Sequence, residues 1–279
     1  MTDVIDSSYT NTSIVPHLIV IGGTSGIGLA LARRHQQQGW RVSVVGHSQE
    51  KIKMLNQSHP DMTTYACDLT DAIEREKLLQ QLSEVDFQRL IYSAGSYFNE
   101  RIHTLDCDQS DQMLAINLQA FEHIFCWASV QLKRQAKKQP VTCSATHTVS
   151  DAKLSLICIA SIAGVLDYPY ASLYAKSKRA MIATASAYRC ALQPYSIQVT
   201  CIASGYVDTQ ALRDLNQGDA SHKPFIMSTE DAVDKIIQAI REDTELAIFP
   251  SPMRYITRIL NRLPKPVLHR ILRNKLDRQ

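Results

Sequence analysis

Short runs of apolar, often β-branched residues alternate along the chain with longer stretches whose apolar positions recur every three to four residues. The short runs predict strands at 17–22, 41–45, 63–67, 89–93, 154–160, 196–202 and 246–249. The longer stretches predict helices over 26–38, 49–56, 71–83, 109–135, 172–192 and 231–241. Period-two alternation is weak in the strands, which places apolar cover on both sides of the sheet. The expected fold class is α/β. It is a Rossmann-like, doubly wound, seven-stranded parallel sheet with helices on both faces. Residues 1–16 are polar and read as a loose arm, 17–250 as the folded domain, and 251–279 as a basic amphipathic helical tail. The Thr- and Ser-rich stretch 139–153 reads as an inserted surface loop.

Composition narrows the class without changing this picture. The chain has 279 residues, 45% hydrophobic and 20% charged, an ordinary globular balance that argues against disorder. Its seven cysteines are dispersed with no CxxC pair, so a structural metal site is not expected and the thiols are expected to be reduced. The first residues carry no basic cluster and no apolar run reaches membrane-spanning length, so a cytoplasmic location is expected.

The chemistry begins at the first strand. Gly22, Gly26 and Gly28 lie between it and the first helix, in the spacing GxxxGxG. Gly22 permits a tight turn, Gly26 a close approach to a pyrophosphate, and Gly28 close packing of helix on sheet. The helix N-terminus then offers free N–H groups to phosphates. No lysine loop of the NTPase kind is present. The second strand ends in Gly46-His47-Ser48-Gln49 with no acid to bind a ribose 2′-hydroxyl. His47 and Ser48 suit a 2′-phosphate, so the sequence leans to NADP, with NAD as the alternative. Asp68, after the third strand, either accepts from an adenine amino group or caps the next helix.

Tyr174 and Lys178 stand four apart on a predicted helix, so they share one face. An ammonium beside a phenol is expected to draw its pKa down from ~10. Such a tyrosine serves as a general acid/base. Ser161 follows the apolar strand ending at Ala160, at the carboxyl edge where parallel sheets bind ligands. Asn117 sits among apolar neighbours in the long helix and needs a partner; a water linked to Lys178 is the expected one.

With these motifs in this order, the chain resembles the short-chain dehydrogenase/reductase family in its compact single-domain form. The resemblance spans about residues 15–250 and includes Ser93-Ala94-Gly95, Ser161 to Gly164 and Ser204 to Thr209. It implies hydride transfer between a nicotinamide and a carbonyl or secondary alcohol. Tyr174 is then the acid/base, Lys178 lowers its pKa and binds ribose, Ser161 orients the carbonyl, and Asn117 holds a relay water. The implied cofactor contacts are Gly22, Thr24, Ser25, Gly26, Ile27, Gly28, His47, Ser48, Asp68, Leu69, Ser93, Ala94, Gly95, Tyr174, Lys178, Gly205, Val207 and Thr209. No metal is needed. Three positions depart from the family pattern: Ile21 before the first glycine, Ser93 for the usual Asn, and Ser204 for the usual Pro, a change expected to loosen the loop that follows. Residues 210–225 are the expected substrate lid, and 96–104, with Tyr97 and Phe98, the pocket mouth. A cofactor-binding scaffold with the same fold is the alternative function. Self-association is the expected assembly.

The net charge of +3 conceals an asymmetry. Residues 251–279 hold eight basic residues against one acid, and the remainder is mildly acidic. Apolar residues at helical spacing continue on both sides of Leu263-Pro264-Lys265-Pro266, which predicts two helices. The tail is read as a helix pair packed on the domain with a solvated basic face, as an amphipathic segment (254–276) peripheral to an anionic membrane, or as an oligomer contact. Nucleic-acid binding has no supporting module.

Overall fold

The computed structural model describes residues 15–98, 106–138, 152–168 and 171–276. Most of the expected arm, most of the expected mouth segment 96–104, most of the polar stretch after residue 138 and the last three tail residues lie outside them. Seven parallel strands form one sheet in the order β3-β2-β1-β4-β5-β6-β7. They are β1 (His17–Ile21), β2 (Arg41–Gly46), β3 (Thr63–Ala66), β4 (Arg89–Tyr92), β5 (Ser155–Ile159), β6 (Gln198–Ser204) and β7 (Leu246–Phe249). The strand order reverses between β1 and β4, and a ligand crevice opens beyond the carboxyl ends at such a reversal.

Alternate residues along the strands feed two separate cores. Ile19, Ile21, Leu90, Tyr92, Leu156 and Cys158 face α3 (Ala72–Leu82), α5 (Phe121–Lys138) and α6 (Leu173–Leu192). Leu18, Val20, Ile91, Ile157 and Ile202 face α1 (Gly26–Gln37), α2 (Gln49–Ser58) and α8 (Thr229–Arg241). Both faces being apolar explains the weak alternation in the sequence. Side-chain caps define the helix starts: Asp71 accepts from the amides of Ile73 and Glu74, Ser172 from Ala175, and Ser228 from Asp231. Asp71 therefore caps α3, and Asp68 does not.

The long helix expected over 109–135 is not one regular helix. α4 (Cys107–Leu114) passes through a π-helical turn at Ala115–Ala120 before α5 begins. No Gly or Pro marks the turn in the sequence, because its cause is tertiary: Asn117 bonds across to another loop. A short helix, α7 (Gln210–Asp214), opens the segment 210–225 expected as a lid. The tail forms α9 (Ser251–Leu260) and α10 (Lys265–Leu276), two helices as expected, with Pro264 in the turn between them and Pro266 in the first turn of α10.

Candidate active site

Ser161 ends the crossing from β5 into a 3-10 turn at Ile162–Gly164, and its oxygen accepts from the amide of Ala163 at 3.2 Å. The turn lies flat on α6: a Cβ on Gly164 would meet the carbonyl carbon of Lys178 and the amide of Arg179 at 2.6 Å. That contact brings Ser161 to Tyr174, with which it shares a hydrogen bond. Tyr174 and Lys178 occupy one face of α6, and the Lys178 ammonium lies 5.8 Å from the Tyr174 ring centroid. Ser161, Tyr174 and Lys178 are thus brought together as the sequence predicts.

The electrostatics differ from expectation. Burial pushes the Tyr174 phenol above its usual value, and the Ser161 hydrogen bond only partly offsets this. Tyr97 and Tyr206 act in the same direction as burial. The Lys178 ammonium lies against the carbonyl of Ile159 (3.5 Å) and the sulfur of Met181 (3.4 Å). Burial lowers the lysine itself to about 8. The cleft therefore holds a neutral phenol at neutral pH, a form that donates a proton.

Asn117 is fully buried, and its side-chain amide is engaged within the protein. It donates to the carbonyl of Ser96 (2.9 Å) and the hydroxyl of Ser177 (3.1 Å), and accepts from the amide of Ser96 (3.0 Å). It clamps the loop after β4 onto α6. Gly95 lies in that loop, where an added Cβ would be 3.1 Å from the Lys178 nitrogen and 3.5 Å from the Asn117 oxygen.

The glycine turn fits a dinucleotide. Gly22 (φ +80°) and Gly26 (φ +55°) adopt left-handed backbone conformations. A Cβ on Gly22 would strike the Ala94 amide at 2.5 Å, and one on Gly28 the Gly22 carbonyl at 2.3 Å. Ser25 takes the N-cap position of α1 without a side-chain cap, and the first turn has no acid. The amides there are left for an anion. The methyl of Thr209 lies 3.5 Å from the Cβ position of Gly26, so the glycine turn faces the loop after β6. That loop is pinned despite Ser204: the Gly205 amide donates to Phe249 at 2.8 Å, and Met253 and Pro250 crowd its α-carbon. Val207 is buried and bridges to Met227. The Ser93 amide donates to Ile21 at 2.8 Å, which holds Ser93-Ala94-Gly95 to β1.

At the far end of the crevice, His47 is exposed and Ser48 caps α2, accepting from Lys51 at 3.3 Å. Asp68 turns back on Thr70, accepting from its amide and hydroxyl at 2.8 Å, so that oxygen is already engaged. At the mouth, the Tyr97 ring meets Tyr174 edge-on at 4.9 Å. Tyr206 carries no sequence signal beyond its place after Gly205. The segment after Val207 is braced by a bidentate pair, Arg213 on Asp208 at 2.7 Å for both bonds.

A sheet with this reversal point, a glycine turn and a Ser–Tyr–Lys cluster at its carboxyl edge defines a dinucleotide-dependent oxidoreductase architecture. The chain belongs to the short chain dehydrogenase family, whose family model matches residues 16–220. Among similar curated proteins is the 3-oxoacyl-(acyl-carrier-protein) reductase of Rickettsia bellii, 27% identical over 199 residues, 71% of this chain and 75% of that protein. Another is the NADPH-dependent 1-acyldihydroxyacetone phosphate reductase of Schizosaccharomyces pombe, 23% identical over 197 residues, 69% of this chain and 60% of that protein. A solved short-chain dehydrogenase from Sphingobium yanoikuyae in complex with NADPH superposes with a TM-score of 0.72 at 16% identity, over 90% of this chain and 97% of that one. One from Burkholderia cenocepacia in complex with NADP gives 0.71 at 17% identity, over 89% and 93%.

Proposed function

We propose that the chain is an NADP-dependent oxidoreductase acting on a carbonyl or secondary alcohol, with Tyr174 as general acid in the reducing direction. The observation that carries this is the hydrogen-bonded Ser161–Tyr174 pair above Lys178, at the sheet edge that also carries the glycine turn. A nicotinamide bound in the crevice supplies or accepts the hydride. Ser161 and Tyr174 donate to the substrate oxygen where negative charge develops, and Tyr174 delivers its proton there. Lys178 holds positive charge beneath the site and faces the Gly95 backbone, where the ribose would lie. Asn117 fixes the loop that carries Gly95, a positioning role.

The preference for NADP rests on the absence of an acid from Gly46 to Gln49 and on His47 standing exposed there. NADP or NADPH in the two solved structures named above supports the same reading. The substrate is a small molecule. The named reductases make 3-oxoacyl thioesters and acylated ketones the first compounds to try. Self-association belongs to the same proposal.

Fluorescence titration of the full chain with NADPH and NADH, followed by a carbonyl panel with the tighter cofactor, tests the reading. Tighter binding of NADPH and turnover of at least one ketone are expected. Tighter NADH binding overturns the cofactor choice. Cofactor binding with no turnover on any carbonyl favours a scaffold.

A further inference from the structure

We propose that α9 and α10 form a docking face for an anionic membrane surface, with the arginines of α9 at the level of the lipid phosphates. Successive helical residues turn by about 100°. On α9 this sorts the side chains into three stripes. Met253, Thr257 and Leu260 face the domain; Thr257 is buried and Met253 lies under Gly205. On the far side, Tyr255, Ile256 and Ile259 are 54%, 47% and 61% exposed. Between the two apolar stripes run Arg254 and Arg258, and Arg262 follows in the turn just beyond the helix.

A helix resting on a domain in water needs one apolar stripe; a second one, facing out, calls for a second apolar phase. α10 continues the pattern. Leu268 is buried, whereas Val267 and Ile271, one turn apart, are exposed beside Arg270.

Charge selects the occupant. Residues 251–276 hold seven basic residues and no acid. Among the described residues, none of Arg254, Arg258 and Arg262 pairs with a carboxylate; the Arg254 guanidinium lies over the Tyr255 ring at 5.4 Å. The arginine row also lines a cavity of about 530 Å³ between α8, β7 and α9, together with Lys235. The one acid there, Glu242, accepts from Gln238 at 2.8 Å. A second copy of this face would set cations against cations, which disfavours self-pairing. An anionic bilayer satisfies both stripes at once: acyl chains take the isoleucines, and phosphates take the arginines.

The face also adjoins the candidate active site. α9 starts at the carboxyl end of β7, and Asn261 just beyond its end donates to the carbonyl of Val165 (3.5 Å), four residues past Ser161. A bilayer docked on α9 would lie beside the cleft. None of the described helices is long and apolar enough to cross a membrane, so the contact is peripheral.

Sedimentation of the full chain with phosphatidylglycerol–phosphatidylcholine vesicles and with phosphatidylcholine vesicles tests this. Two variants accompany it, Arg254→Glu/Arg258→Glu/Arg262→Glu and Ile256→Ser/Ile259→Ser, each checked for folding by its NADPH titration and circular dichroism. Binding at least about tenfold tighter to the anionic vesicles is expected. The arginine variant should lose that binding, and the isoleucine variant should weaken it about tenfold with its charge unchanged. Equal binding to both vesicle types, or parent-like binding by either folded variant, overturns the proposal. So does release by excess glycerol 3-phosphate, which would mean a soluble phosphate site. A smaller particle for the isoleucine variant in lipid-free light scattering would assign the face to a second copy. Binding to an acidic carrier protein without vesicle binding would assign it to a protein partner.

Discussion

The Lys178 ammonium sits 5.8 Å from the centroid of the Tyr174 ring and gives its hydrogen bonds to Ile159 and Met181 rather than to the phenol. The lysine is buried in a floor of backbone and sulfur, and the tyrosine stays protonated above it. The protein therefore carries a buried cation that stability alone would not select.

Replacing that cation should separate stability from function. The folded pKa of Lys178, about 8, lies below the value of 10.5 for a free lysine. Between those two values the unfolded chain binds more protons, so stability should rise with pH across that window; below it the cost of the buried charge is felt in full. Lys178→Met should raise the melting temperature of the cofactor-free protein at pH 7 by several degrees and abolish the rise between pH 8 and 10.5. Turnover should fall at the same time. Melting curves over that pH range check this; a lower Tm for the variant at pH 7 contradicts it.

His17 sets the acid limit. Its ring is buried at the start of β1, bonded to Ser43 at 2.9 Å and to the Asp86 carbonyl at 3.1 Å. Burial, aided by Arg41, lowers its pKa from 6.5 to about 4. A base lowered in this way is neutral when folded and takes up a proton on unfolding, so its contribution is lost as pH falls from 6.5 towards 4. Urea unfolding at several pH values should show a loss of up to about 1.4 kcal/mol per pH unit there. His17→Asn should flatten that slope.

Gly22 joins the turn to the loop after β4. A Cβ there meets a left-handed backbone (φ +80°) and the Ala94 amide at 2.5 Å. Gly22→Ala should weaken NADPH binding by at least about tenfold, or about 1.4 kcal/mol, through displacement of the turn. Gly39→Ala, at a similar φ but with nothing within 4 Å, should leave NADPH binding unchanged. Isothermal titration of both variants makes the comparison.

The strands, the glycine turn and the Tyr174/Lys178 pair were legible because each rests on local spacing. The break between α9 and α10, where Pro264 stands, was legible for the same reason. What escaped the sequence depends on contacts distant in the chain. The π-turn at Ala115–Ala120 exists because Asn117 bonds Ser96 and Ser177, which lie 21 and 60 residues away. The Tyr174 pKa moves up rather than down because burial outweighs the Ser161 hydrogen bond, and depth of burial is not written in a four-residue spacing. Tyr206 joins the site only through the fold of the β6 loop. Of the two roles open to Asp68 in the sequence, an adenine contact or a helix cap, the cap falls to Asp71, three residues later, which holds the free amides.

The central claim is that the Tyr174 hydroxyl donates the proton. Turnover of NADPH with an accepted ketone by Tyr174→Phe, alongside its NADPH affinity, tests this most directly. A fall in turnover of about 10²–10⁴-fold with NADPH affinity essentially unchanged is the expected result. Turnover close to that of the parent chain would contradict the account.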